Sequence, residues 1–359
     1  MIIGVDAGCL GIDDQRLEVG VYQFAVNFLT SLSKIDSENT YYLYSFKPIS
    51  STLLRELSSN FKNKVIKPEK GWFKIRLPFQ LRIDRVDLFL ALSQAMPSHH
   101  PFRTIGFIHA LDFYDKFHDA GSNKKMKANL EYLINNADML ITGSKFLAKF
   151  IKKINNTASI KVVKLGVVDE FSHNGNKYKN KEKYFLFVGS LKPSKNLKNI
   201  ILAFSKFCKD KKNEFNLLIV GSNFWSDENI EGLIKMEKME KNIKYLGFVK
   251  NKNLPAFYRG AIALLSPSLY EGFGLPIIEA MACGCPVIVG NQSAEKEIVS
   301  SGGVLVNPLD TNAIAKAMVK IDLKNQFYRS KAIIDSKKFK WDEFASEVYN
   351  VINEYEKKT

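Results

Sequence analysis

Two glutamates, Glu271 and Glu279, stand eight positions apart around a glycine-bearing turn in the stretch SLYEGFGLPIIEAMACGCPVIV, residues 268–289. The apolar run Ala261–Leu265 leads into the turn, and a helical stretch and a second apolar run, Pro286–Val289, follow it. Pro276 suits the first residue of that helix, where a missing N–H leaves no bond unmade. The amides around Gly274, Leu275 and Ile277 then point out of the helix start and, with the dipole, form an anion site. Gly272 and Gly274 let a ligand approach the backbone closely. One carboxylate before the amides and one after them suit a ligand with phosphate in its middle and hydroxylated rings on either side, as in a nucleotide sugar. The plain alternative is that every α/β domain contains a strand, a glycine turn and a helix, and that a glutamate near a helix start often only offsets the dipole.

Other candidates lie at the ends of apolar runs. Val188 leads into Gly189 and Ser190, which turn the chain, and a helix is expected from about Ser194 with Lys195 in its first turn. Amides and a lysine converging there suit a diphosphate. Val220-Gly221-Ser222 ends the next strand at the same edge, and TIGFIH delivers His109 to a strand's carboxyl end with Asp112 shortly after. Ser144, Ser293 and Asp310 read as helix starts.

Positioning these residues requires a parallel sheet. Expected strands in the first half are Ile2–Asp6, Tyr41–Phe46, Lys64–Lys67, Val86–Leu92, Thr104–His109, Met139–Gly143 and Ile160–Leu165, with helices at Val21–Leu32, Lys124–Asn135 and Lys145–Ile154 among them. In the second half they are Tyr184–Val188, Phe215–Val220, Ile243–Leu246, Ala261–Leu265, Pro286–Val289 and Gly303–Val306. Such alternation indicates parallel sheets covered on both faces. The polar, lysine-rich run His173–Lys183 reads as the linker. It separates an N-terminal Rossmann-like domain, residues 1–175, from a C-terminal one, residues 181–340, and an amphipathic helix closes the chain at 341–359.

The length of 359 residues accommodates two domains, and a composition of 46% hydrophobic and 25% charged residues is globular. No apolar run is long enough to span a membrane, and MIIGVDAG opens as a strand, so no secretory leader is expected. Cys9, Cys208, Cys283 and Cys285 have neither metal nor redox spacing and read as reduced residues of a cytoplasmic protein. The net charge of +15 is spread evenly, with 25 basic against 17 acidic residues to position 180 and 27 against 20 beyond it. No nucleic-acid motif accompanies it, so nucleic acid is excluded as partner, while peripheral contact with an anionic membrane at its inner face is kept open. Basic and aromatic residues interleave in KGWFKIRLPFQLRIDR, residues 70–85, which reads either as an acceptor or membrane contact or as an ordinary sheet cover. The basic amphipathic helix Lys145–Ile154 allows the same two readings.

The stretch SLYEGFGLP, EAMACG and PVIV resembles the E-x7-E signature of retaining glycosyltransferases of the GT-B fold, in the group called family 4. The resemblance continues through Lys195-Asn196, where Ser194 stands in place of the family's arginine, through LGFVKNKNLPAFYRGA, and through IKVVKLGVVDEF. It implies two Rossmann-like domains facing a cleft, with the last helix crossing back to the first. It further implies that Lys195 with the amides of Gly274 and Leu275 stabilises the leaving diphosphate, that Glu279 binds the donor ribose, and that Glu271 contacts the transferred sugar. Phe248 and Val249 supply backbone contacts to the base; Gly189, Ser190, Gly221 and Phe273 belong to the same donor site. Gly20 matches the glycine of the first loop, with Val19 replacing its usual neighbour, and His109 matches the histidine that faces the sugar. Catalytic roles thus fall to His109, Glu271 and Lys195. The implied activity is metal-independent transfer of a hexosyl unit from a GDP- or UDP-sugar to a glycan or lipid-linked acceptor in cell-surface polysaccharide synthesis. A non-catalytic nucleotide-sugar-binding subunit and a GT-B sugar-nucleotide epimerase are the alternatives.

Overall fold

The computed structural model describes residues 1–11, 20–67, 71–98, 102–111, 124–209, 214–222 and 229–356. The chain divides into two compact units, Met1–Gly166 with Lys340–Thr359, and Val167–Phe339. In the first unit, apolar runs become β1 (Ile2–Asp6), β2 (Thr40–Ser45), β3 (Phe61–Val65), β4 (Leu88–Ala91), β5 (Arg103–Ile108), β6 (Met139–Thr142) and β7 (Ile160–Val162). Between them run α1 (Val21–Ile35), α2 (Ser51–Glu56), α3 (Leu77–Ile83), α4 (Lys124–Asn136) and α5 (Lys145–Ile154). The strands pair in parallel in the order β3-β2-β1-β4-β5-β6-β7. All four residues of β4 are buried, as expected of a central strand covered on both faces.

The second unit repeats the scheme with β8 (Lys183–Val188), β9 (Phe215–Val220), β10 (Ile243–Gly247), β11 (Leu264–Ser266), β12 (Val287–Gly290) and β13 (Gly303–Val306). Its helices are α6 (Leu197–Cys208), α7 (Ile230–Met236), α8 (Leu254–Gly260), α9 (Leu275–Ala282), α10 (Glu295–Ile298), α11 (Thr311–Leu323) and α12 (Asn325–Ser336). The parallel order is β10-β9-β8-β11-β12-β13. The core of this unit joins Phe185, Phe204 and Leu217 to Ile314 and Met318. In both sheets the order turns back on itself, between β1 and β4 and between β8 and β11, and crevices for ligands open at such switch points.

The last helix, α13 (Trp341–Glu356), belongs to the first unit. Its Phe344 packs edge-on against Phe24 and Phe28 of α1 with ring centroids 5.6 and 5.5 Å apart, and Ser31 Oγ donates to Asp342 at 2.9 Å. The segment that composition reads as linker is held within the second unit. Arg259 donates to the carbonyls of Asn176 (2.8 Å) and Ser172 (2.9 Å), and the Tyr178 ring stacks on Phe257 at 4.0 Å. The unit boundary therefore falls at Gly166/Val167, ahead of that segment. All four cysteines are unbridged, three of them buried. Among the described residues no helix is long and apolar enough to cross a membrane.

Candidate functional site

The densest grouping of candidate residues sits at the carboxyl ends of β8 and β11. After β8, Gly189 and Ser190 lead to a 3-10 turn, Pro193–Lys195, and α6 begins only at Leu197. Lys195 therefore precedes the α-helix rather than lying in its first turn. The cause is Asn196, which takes the left-handed conformation (φ 62°) that asparagine tolerates better than most residues. Its buried side-chain amide donates to the carbonyls of Pro267 (2.9 Å) and Pro308 (2.7 Å), and Leu269 N donates to Ser194 O at 2.8 Å. Both neighbours of Lys195 are thus tied to the loop after β11. That latch delivers the Lys195 ammonium to the Glu271 carboxylate, with which it forms an ion pair. Ser268 Oγ lies 3.5 Å from the same carboxylate oxygen. Ser194, at the position of the family's arginine, is buried.

The turn after Glu271 ends at Gly274, whose φ of 107° lies in a region closed to most side chains. A Cβ there would also come within 2.7 Å of Ile277 Cδ1. Helix α9 starts at Leu275, so Pro276 is its second residue and not its first. The Ile277 N–H is spent on Gly274 O at 3.0 Å and does not point outward. The anion-facing amides reduce to those of Gly274 and Leu275, which as the first of a helix lack intrahelical acceptors. Phe273 turns its side chain inward onto Phe339, ring centroids 5.9 Å apart. Glu279 lies further along α9 and accepts from Tyr258 Oη at 3.0 Å. Its surroundings strip water from the carboxyl and push its pKa up to about 7, against which the tyrosine hydrogen bond acts. Part of the side chain still reaches solvent.

Two further members of this site carry no motif. Tyr258 reads as helix core and is buried, yet its hydroxyl holds Glu279. Glu295, on α10, is fully buried and accepts from Ser268 N at 3.3 Å. Burial, and then the neighbouring Glu271 charge, push its carboxyl well above the usual range. Gly290 makes room for it: a Cβ there would fall 2.4 Å from Glu295 Oε2. Ser268 thus contacts both carboxyls, through its N–H and its hydroxyl. The Ser293 hydroxyl is buried without a hydrogen-bond partner and caps nothing, and α10 follows Ala294 instead. Ser144 and Asp310 do cap their helices, accepting from Leu147 N and from the amides of Asn312 and Ala313.

The floor beside the ion pair is glycine. Gly221 N donates to Gly247 O at 2.9 Å and Gly189 N to Val220 O at 3.0 Å. A Cβ on Gly221 would lie 1.8 Å from Gly189 O, so no side chain fits between these strand ends. Phe248 and Val249 follow β10 at this edge and are half-buried.

His109 and Gly20 are residues of the first unit. Gly20 caps α1 at φ 56°, and among the described residues nothing lies within 4 Å of where its Cβ would stand, so conformation and not space selects glycine. His109 follows β5. Gln94, itself at φ 59°, accepts from the backbone N–H of His109 (2.7 Å) and Ala110 (2.9 Å) through Oε1. His109 Nε2 lies 2.8 Å from Leu92 O, which assigns the proton to Nε2 and leaves Nδ1 an acceptor. The ring packs edge-on against Phe24 of α1 at 4.4 Å. Burial lowers its pKa to about 4, so it is neutral at pH 7. At the end of β1 in the same sheet, Asp6 accepts from Gly8 N and Ser93 N, both at 3.2 Å, and burial raises its pKa to about 6. Asp112 and Val19 lie outside the described residues. Among the described residues no three His, Cys, Asp or Glu side chains cluster as metal ligands would.

In open α/β sheets ligands bind at the switch point, and a helix N-terminus there suits an anion. Residues 168–339 match the family described as glycosyl transferases group 1. O-antigen chain mannosyltransferase B of Escherichia coli is 26% identical over 269 residues, 70% of each chain. O-antigen chain mannosyltransferase RfbU of Salmonella typhimurium is 34% identical over 147 residues, 40% of each chain. Sucrose-phosphate synthase from Thermosynechococcus elongatus superposes with a TM-score of 0.81 at 18% identity, covering 100% of this chain and 99% of the other. Anabaena HepE in complex with UDP gives 0.73 at 18% identity, covering 98% and 99%. These likenesses establish the GT-B fold.

Proposed function

We propose that this protein is a glycosyltransferase that moves a hexosyl unit, mannose first among the candidates, from a nucleotide diphosphate sugar to a hydroxyl of a glycan or lipid-linked acceptor in cell-surface polysaccharide synthesis. Mannose and the polysaccharide setting are supported by the names of the Escherichia coli and Salmonella relatives. The observation that carries the chemistry is the Lys195–Glu271 ion pair beside the N-terminus of α9. As the bond from the sugar C1 to the phosphate oxygen breaks, negative charge grows on the diphosphate. Lys195 and the amides of Gly274 and Leu275 face that charge and stabilise it more in the transition state than in the ground state. Charge stabilisation comes from the chain's own groups in place of a metal. When the phosphate takes Lys195, Glu271 is released to accept from sugar hydroxyls, and Glu279 accepts from the ribose. The acceptor oxygen attacks C1 on the face the phosphate leaves and passes its proton to the leaving oxygen, so configuration is retained.

The test incubates purified protein with GDP-mannose, UDP-glucose and related donors together with a lipid-linked glycan acceptor, and reads free nucleoside diphosphate and the anomeric NMR signal of the product. GDP release with an α-linked product from an α-linked donor is expected. Absence of both transfer and hydrolysis across the donor panel overturns the reading.

A further inference from the structure

The run Trp72–Ile83 is anchored on one side and bare on the other. A π-helical turn, Trp72–Arg76, leads into α3. Trp72, Leu77, Pro78 and Leu81 are buried, and Leu81 reaches the β1 backbone so closely that a Cβ on Gly4 would lie 2.9 Å from it. The opposite face carries Ile75, Phe79 and Ile83, spaced four residues apart and 68%, 64% and 57% exposed. Residues at that spacing share one face of a helix. Three large apolar side chains so exposed on a firmly held helix mark an interaction surface.

The charge beside this strip has one sign. Lys74, Arg76, Arg82 and Arg85 are exposed. The single acidic residue between positions 71 and 85, Asp84, is turned inward, where it accepts from Lys64 Nζ (2.5 Å), Tyr44 Oη (2.7 Å) and Gln80 Nε2 (3.1 Å). Helix α5 makes the contrast. It is as basic and amphipathic in sequence, but it buries Leu147 and Ile151 and leaves only its lysines fully exposed.

We propose that the Ile75, Phe79 and Ile83 face inserts into the headgroup region of an anionic phospholipid bilayer, with the flanking lysine and arginines on lipid phosphates. An apolar strip bordered by long cationic side chains lies in the plane of such an interface, the cations reaching outward along their stems. A negatively charged leaflet supplies the complement to residues 71–85, which expose four cations and no carboxylate. The surface is independent of the donor chemistry, and its test uses no nucleotide sugar.

The experiment floats the full-length protein with phosphatidylcholine vesicles, with and without phosphatidylglycerol. The parent is expected to float with the anionic vesicles and less so as salt rises. The exposed-face variant Ile75→Asn/Phe79→Asn/Ile83→Asn should lose about tenfold or more in bound fraction. Lys74→Gln/Arg76→Gln/Arg85→Gln should lose about tenfold or more toward phosphatidylglycerol and bind both vesicle types alike. Unchanged circular dichroism and unchanged thermal shift with GDP or UDP confirm that both variants fold. A parent that stays unbound, or an apolar-face variant that floats as well as the parent, overturns the proposal. So does a dimer in gel filtration that the apolar-face variant dissolves, because the strip then meets a second copy of the chain.

Discussion

The carboxyl edges of the two sheets are alike in topology and differ in the polar groups they hold. Each lies where strand order reverses, and each gathers its polar residues from loops after the central strands. In the second unit the edge holds an ion pair, Lys195–Glu271, latched by Asn196 to the carbonyls of Pro267 and Pro308. In the first it holds groups pushed toward neutrality: His109 lowered to about 4 and Asp6 raised to about 6, with Gln94 clamping the backbone at His109 and Ala110. The topology supplies the crevice, and the loops decide which polar groups line it.

The largest effect that bears on this contrast is expected from Lys195→Ala. Removing one charge-stabilising donor should cost on the order of a hundredfold to a thousandfold in kcat. Gln94→Ala should cost far less, and equal losses in steady-state kinetics would erase the distinction between the edges. Next is Asn196→Ala, which takes the side-chain donor from the Pro267 carbonyl and leaves Pro308 O with the longer bond from Asn199 at 3.3 Å; denaturant unfolding should show a loss of about 1–3 kcal/mol. Asn196→Asp, which keeps the shape but offers no donor, should do no better.

Smaller and pH-dependent is Glu279→Gln. The folded pKa of Glu279 is raised to about 7, so the folded state holds its proton over a range where the unfolded state has released it. That carboxyl therefore costs stability as pH rises from about 4.5 to 7. Without ligand, Glu279→Gln should melt higher than the parent above pH 7, with the gain vanishing near pH 4.5, while its donor affinity falls. The smallest effect concerns His109. Its folded pKa is depressed, so it contributes stability above pH 6.5 that is lost as pH falls toward 4. NMR titration should find the ring neutral at about pH 5.5 with the proton on Nε2, and an imidazolium at that pH would contradict the assignment.

The regular elements were legible because burial on both faces leaves a plain mark. The strands Ile2–Asp6, Phe215–Val220 and Gly303–Val306 and the helix Lys145–Ile154 run over the residues that apolar patterning indicates. The candidate site was legible where a residue type itself suggests chemistry: Lys195, Glu271, Glu279, and the glycines that no side chain can replace. It was illegible where a partner far along the chain decides. Lys195 leaves its helix because Asn196 bonds residues 71 and 112 positions away. Ile277 loses its outward amide to a turn that begins one residue earlier than Pro276 suggests. Glu295, which no motif marks, is buried on the Ser268 amide, while Ser293, which reads as a cap, is left without one to make.

By itself, then, the order of residues determined two parallel α/β units and the motif at the second switch point, because periodic burial and conformationally special residues act over a few positions. Only the tertiary structure decided which amides face an anion, which carboxyl meets the lysine, and which basic helix shows an apolar face to solvent. Those outcomes depend on hydrogen bonds and packing between loops that neighbour one another in space alone.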